Sequence, residues 1–205
     1  MHKIDKKENP TFQKYSDEVV QIALKKDFSK KCYICEEVTR HYEVEHFYPQ
    51  SKFPHLKNSY ENLFYSCEKC NSLKGSIINT SSDNEILNCC DIDVENYIKL
   101  KYNSKNCNVE ISRVSENMVL QTDNTIQFLE KIYNGKNSKS NSCEDLKNEI
   151  GENIENFRQK LDKYKKTRIK RVLFKELQDA ISPVSAYSTF KYWIIKDDKN
   201  IQGIL

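Results

Sequence analysis

Cys32-Tyr-Ile-Cys35, Glu43-Val-Glu45-His46-Phe-Tyr-Pro49, Tyr60-Glu-Asn62-Leu63 and Cys67-Glu-Lys-Cys70-Asn71-Ser-Leu-Lys74-Gly75 follow one another inside a single stretch of the chain. Two C-x-x-C pairs, about thirty residues apart, supply four thiolates able to close one tetrahedral site, and such a site is usually structural zinc. Held between and beside the pairs are an acid–histidine dipeptide, Glu45-His46, and two amides, Asn62 and Asn71. The rest of the chain is read outward from this clamp.

At 205 residues the chain makes one domain, or one small core with an appended lobe. Charged residues make up 31% and there are only four glycines and four prolines, so polar helices are expected over a loop-rich sandwich. A net charge of +3 does not by itself mark a nucleic-acid binder; the distribution of charge matters more. The sequence has no apolar run of transmembrane length, and its first residues, Met1-His-Lys-Ile-Asp-Lys-Lys-Glu, carry no signal-peptide core, so a cytoplasmic location is expected. A reducing compartment favours metal ligation over disulfides for Cys32, Cys35, Cys67 and Cys70. Cys89, Cys90, Cys107 and Cys143 read as small buried or half-buried thiols.

Residues 1–15 read as a loosely packed arm. Ser16-Asp-Glu18 opens a helix with the apolar stripe Val19, Val20, Ala23, Leu24 and Phe28, and Lys25 and Lys26 suit the negative end of its dipole. Alternation from Tyr42 to Phe47 predicts a strand, Asn62 to Tyr65 a second short strand or turn, and Cys67 to Lys74 a short helix closed by Gly75. A period of two over Ile98–Tyr102 and Cys107–Ile111 predicts a hairpin, with Met118–Leu120 as a third strand. A helix is expected from Thr125 to Tyr133, capped by Asp123 or Asn124 and ended at Gly135. Asn137–Ser142 reads as a mobile linker whose Ser142 caps a long helix running past Leu177. Ser182-Pro183 starts a last, aromatic helix from Val184, with Tyr187, Phe190 and Trp193 in core or interface.

Hydrolysing a phosphodiester requires a base for water, a cation to neutralise the phosphorane and the departing oxygen, and a group that holds the base. A neutral imidazole suits the first task, so His46 is the candidate base. Glu45 is a hard oxygen donor for Mg²⁺ or Mn²⁺, and Asn71 can add an amide oxygen. Adjacent strand residues face opposite ways, so a bulge is expected to bring Glu45 and His46 to one site. Asn62 can orient the imidazole by accepting its second N–H, or can fix the loop. His41 and Glu43 are candidates for an outer shell, while His2 and His55 read as surface residues.

Glu45-His46, Asn62 and Cys67-x-x-Cys70-Asn71-x-x-Lys74, with Cys32 and Cys35, resemble the HNH (ββα-metal) endonucleases, in the variant with asparagine at the third motif position. The resemblance implies an α+β fold: a zinc-stapled ββα-metal core over residues 1–80, then a hairpin and a mostly helical lobe over 81–205. It implies His46 as general base, Glu45 and Asn71 as ligands of Mg²⁺ or Mn²⁺, and Asn62 as the positioning residue. The runs Glu45–Pro54 and Glu61–Cys67 are also similar to the HNH nucleases of bacterial anti-phage systems of the Septu type, some attached to retrons. There the nuclease is paired with an ABC-type ATPase, which is therefore an expected partner. One such site cuts one strand, so a homodimer or repeated nicking is needed for a double-strand break. DNA is the expected substrate, although the motif contacts only groups common to DNA and RNA.

From Arg158 to Arg171 eight basic residues stand against one acid, Asp162. Solvated helices mix signs, so this run reads as a track for a nucleic-acid backbone through Lys163, Lys166, Arg168 and Arg171. Lys52 and Lys74 are further candidates for phosphate contact. Two other classes remain open: a catalytically silent zinc module that binds nucleic acid or protein, and a thiol redox protein whose fold would survive chelation.

Overall fold

The computed structural model describes residues 1–135, 141–167 and 170–205, and leaves the side chains of residues 141 and 142 undescribed. Its elements are helix α1 (Glu18–Asp27), strand β1 (Tyr42–His46), strand β2 (Leu63–Cys67), helix α2 (Glu68–Lys74), the hairpin β3 (Ile98–Asn103) and β4 (Asn108–Arg113), and helices α3 (Val119–Asn134), α4 (Asn141–Lys166), α5 (Arg171–Ile181) and α6 (Ser188–Asp197). β1 pairs antiparallel with β2, and α2 follows directly, giving a ββα unit.

All five residues of β2 are buried, because α1 covers one face and the aromatic cluster of Phe28, Phe47 and Phe64 fills beneath it. Val20, Ala23, Leu24 and Phe28 face inward from α1 as their spacing predicts, while Val19 is exposed. Asp17, not Ser16, stands at the helix start, and its carboxylate accepts the Gln13 and Lys14 amides instead of capping the helix.

Residues 1–15 are not a loose arm. The Ile4 amide donates to the Cys89 carbonyl, and the Lys6 ammonium donates to the carbonyls of Tyr60, Glu61 and Leu63 at 2.6–2.9 Å. Lys6 also sits 4.2 Å from the Phe64 ring centroid, a cation–π contact that helps a lysine stay inside. The division expected at residue 80 is not a break in packing. One core joins Leu24, Phe64, Leu100, Phe128, Ile150 and Phe190, and a smaller cluster holds Phe157, Leu161, Leu177, Ile195 and Ile204.

Three helix boundaries differ from the sequence reading. Met118–Leu120 is not a strand: α3 begins at Val119, after Met118 in the left-handed region (φ 50°), so Asp123 and Asn124 lie inside it. Asp123 instead holds Arg113 of β4 at 2.7 Å. The long helix is broken between Lys166 and Arg171 into α4 and α5, which pack against each other and bury the apolar residues that periodicity had strung along one axis. α6 starts at Ser188 after a turn over residues 182–187, where Tyr187 takes φ 51°. The linker over Asn137–Ser142 and the Ser142 cap lie outside the described residues or side chains. Phe190 and Trp193 of α6 belong to the interior, with the Trp193 indole donating to the Ile98 carbonyl.

Candidate active site and four-cysteine cluster

Cys32, Cys35, Cys67 and Cys70 are buried, and their sulfurs all lie within 4.8 Å of one another. Cys35 and Cys67 are separated by 3.8 Å between sulfurs. Zinc–sulfur bonds of 2.3 Å at tetrahedral angles require about 3.8 Å between sulfurs, so the cluster fits a tetrahedral ion. The geometry is local. The Glu36 amide returns to the Cys32 carbonyl and Cys32 N–H reaches the Glu37 carbonyl, closing one knuckle, while Cys67 Sγ accepts the Cys70 amide at the start of α2. The Tyr33 amide bonds the Tyr65 carbonyl and docks the first knuckle on β2.

Glu36, just past Cys35, lies in the left-handed region at φ 63° and is buried. Its carboxylate accepts the Thr189 amide at 3.0 Å and hydroxyl at 2.7 Å, with the Lys31 ammonium 3.6 Å away. Burial alone would raise its pKa, but the Lys31 cation leads the groups that hold it at about 2. The knuckle is thereby bolted to α6.

Along the whole length of β1, Tyr15, Ser16, Gln21, Gln50 and Asn71 surround the strand's residues in a pocket of about 420 Å³. No bulge is needed to bring Glu45 and His46 together: the register runs unbroken from Tyr42↔Cys67 to His46↔Leu63. β1 is one edge of a two-stranded sheet, and all five of its residues line the pocket. A cavity along a free strand edge can be reached from both faces.

The His46 ring is fixed by the loop between the strands. Its Nε2 lies 2.9 Å from the Lys57 carbonyl. A carbonyl only accepts, so Nε2 carries the proton and Nδ1 keeps its lone pair. Burial, followed by the opposing Lys57 hydrogen bond, leaves the His46 pKa below the usual histidine value, which keeps the ring neutral. Asn62 does not accept from the imidazole. It is buried, takes the Tyr48 amide at 2.8 Å, and returns hydrogen bonds to the carbonyls of Tyr48 and Leu56. Its work is to fold the loop that presents Lys57.

Glu45 and Glu43, two residues apart on β1, both reach toward α2. Glu45 Oε1 accepts from the Lys74 ammonium at 2.6 Å, and Lys74 also donates to the His46 carbonyl. Lys74 is fully buried, so the phosphate contact expected of it is corrected: its charge is committed to Glu45. Burial raises the Glu45 pKa against Lys74, and burial lowers that of Lys74 against Glu45. Glu43, a candidate for the outer shell, accepts from Asn71 Nδ2 at 2.7 Å through its Oε2, so it holds the side chain of a candidate ligand. Its spacing from Glu45 was the available signal. A carboxylate cannot donate, so the Asn71 amide must turn its nitrogen to Glu43 and its oxygen away. Two carboxylates and an amide oxygen make a donor set suited to a hard divalent cation.

His41 and His55 are exposed and neither lines the pocket, while His2 is half-buried beside Glu95. Lys52 is exposed on the loop after β1. Of the basic run, Lys163, Lys166 and Arg171 are exposed, with no ion pair among the described residues. Lys160 and Lys165 are paired with Glu176 and Asp198, and Arg168 lies outside the described residues.

Residues 32–76 match the family model of the HNH endonuclease, which spans both cysteine pairs and the pocket residues of β1 and α2. The chain is 34% identical over 85 residues to the Septu protein PtuB of Bacillus thuringiensis, covering 40% of this chain and 32% of that protein. It is 37% identical over 76 residues to the Septu protein PtuB of Bacillus mycoides, covering 29% of this chain and 26% of the relative. The chain thus spans about a quarter to a third of the length of these curated relatives. Among the described residues, no helix is long and apolar enough to cross a membrane.

Proposed function

We propose that this chain, which carries an HNH endonuclease domain over residues 32–76 and is similar over part of its length to PtuB, is a metal-dependent nuclease acting in Septu-type anti-phage defence. The observation that supports this most is His46: its protonated Nε2 is tied to a backbone carbonyl, and its Nδ1 has no protein partner among the described residues. Glu43, Glu45 and Asn71 line the same pocket.

In this reading His46 Nδ1 takes a proton from the attacking water, and the Lys57 carbonyl steadies the imidazolium that results. Glu45 and Asn71 hold Mg²⁺ or Mn²⁺, which when bound neutralises charge on the phosphate and the departing 3′ oxygen. Lys74 opposes the effect of burial on Glu45 and so favours the ionised form that a ligand requires. Asn62 acts through the loop and not on the substrate. The four cysteines hold structural zinc and fix the start of α2, and with it Asn71.

Lys52, Lys163, Lys166 and Arg171 are proposed backbone contacts, with DNA favoured over RNA as substrate. An ABC-type ATPase is the proposed partner, in the cytoplasm, with a second copy of the chain supplying the second cut. The test is a cleavage assay with Mg²⁺ or Mn²⁺ on duplex DNA and structured RNA, with and without the ATPase, comparing wild type with His46→Ala. Cleavage lost in the variant establishes the reading. Absence of cutting by a zinc-loaded, folded wild type under every condition favours the silent binding module.

A further inference from the structure

The candidate base is held by more than its own hairpin. Residues 12–17 run across the loop between β1 and β2: the Phe12 ring stands edge-on to Tyr60, and the Asp17 carboxylate gathers the Gln13 and Lys14 amides. The Tyr15 amide then donates to Asn58 Oδ1 at 3.0 Å. Asn58 adjoins Lys57, the residue whose carbonyl holds His46 Nε2. The Tyr15 ring is thereby set edge-on to the imidazole, with centroids 4.7 Å apart at 75°, and it lines the same pocket as Glu45 and Asn71.

We propose that Tyr15 is a positioning residue for His46, so that the segment before α1 completes the active site. This rests on the reading of His46 as general base. With the ring held covalently at Cγ and by one hydrogen bond at Nε2, the imidazole remains free to rock about the line through those two atoms. An edge-to-face contact from a second direction removes that freedom and aims Nδ1. Small misplacements of a reacting group are costly, with about 1 Å worth about a hundredfold in rate. The Tyr15 hydroxyl makes no hydrogen bond among the described residues, so the ring and not the hydroxyl carries the role. Tyr15 is only half-buried, so its loss should leave the core intact.

The experiment pairs cleavage kinetics with ¹⁵N spectra of the histidine rings at fixed pH, for wild type, Tyr15→Ala and Tyr15→Phe; with four histidines, His46→Ala identifies the signal. Tyr15→Ala is expected to lower kcat by about tenfold or more with little change in KM. Its His46 signals should broaden or show a second tautomer, and Tyr15→Phe should match wild type in both readouts. Should Tyr15→Ala not fold, Asn58→Ala, which releases only the tether, is expected to show the same broadening in milder form. Unchanged His46 signals and kcat in these variants overturn the proposal. Equal losses in Tyr15→Ala and Tyr15→Phe with an undisturbed His46 also overturn it, and assign the hydroxyl to the substrate. If wild type cuts nothing, the nuclease reading fails separately; the spectra alone then decide, broadening supporting the contact and its absence refuting it.

Discussion

The two ends of the β1–β2 hairpin solve different problems by different means. At the Tyr42–Cys67 end, two tetrapeptides bring four buried thiols within one coordination sphere, and each knuckle is closed by its own backbone. From the His46–Leu63 end back along the whole of β1, the pocket is assembled from residues as far apart as Tyr15 and Asn71, several of them oriented by a partner from another element. The cysteine end is a staple whose failure is global. The histidine end is a set of separately positioned groups, so it should fail piecemeal, losing rate before fold.

The staple gives the largest expected effect. Cys67→Ser, or removal of metal with a strong chelator, should unfold the ββα unit, since structural zinc sites carry binding energy of about 10–16 kcal/mol in small domains. Metal content and a melting curve read this; a fold indifferent to chelation would point to a thiol redox protein and erase the contrast. His46→Ala should instead keep zinc and melting temperature while cutting cleavage by about 10²–10⁴. If it lowered both together, the two ends would be one cooperative structure.

Lys74→Met joins the two behaviours. It leaves Glu45 as a buried carboxylate without its cation, which costs about 3–5 kcal/mol when one partner of a buried pair is removed. Denaturant unfolding should show the loss, and added Mg²⁺ should restore part of it if Glu45 is a metal ligand. A comparable effect at low pH is expected from Glu36. Its folded pKa of about 2 lies below the ordinary carboxylate value of 4.5, so its contribution is complete above about pH 4.5 and disappears as pH falls toward 2. The gap between the two values corresponds to about 3 kcal/mol. A pH series of melts on wild type and Glu36→Gln should converge at the acid end.

The smallest effect tests packing far from both sites. Gly151 lies inside α4, where alanine would gain about 1 kcal/mol of helix propensity. A β-carbon there would stand 2.6 Å from the Tyr102 hydroxyl and 2.9 Å from its ring. Overpacking costs about 1–3 kcal/mol, so Gly151→Ala should be net destabilising by about 1 kcal/mol with cleavage unchanged.

What the sequence alone determined is whatever is local. The C-x-x-C spacing dictates the knuckles, alternation dictates β1, β3 and β4, and the motif residues Glu45, His46 and Asn71 fall on the elements expected of them, while Asn62 ends the short 3-10 turn just before β2. Tertiary structure decided what depends on partners distant along the chain. Whether Lys74 meets phosphate or a carboxylate is not written in its neighbours; the packing of α2 on β1 seals it against Glu45. Asn62 had two roles open to it, and only the loop fold selects the backbone clamp over the imidazole. Glu43, Tyr15 and Glu36 gained their places because a neighbouring element offered a donor, a ring or a cation at the right distance. The helix that periodicity ran past Leu177 is instead two, α4 and α5, and with α6 they enclose one apolar cluster of Phe157, Leu161, Leu177 and Ile195 that a single long rod could not close on itself. Periodicity reports which face of an element is apolar. The face it meets is settled only when the chain closes on itself.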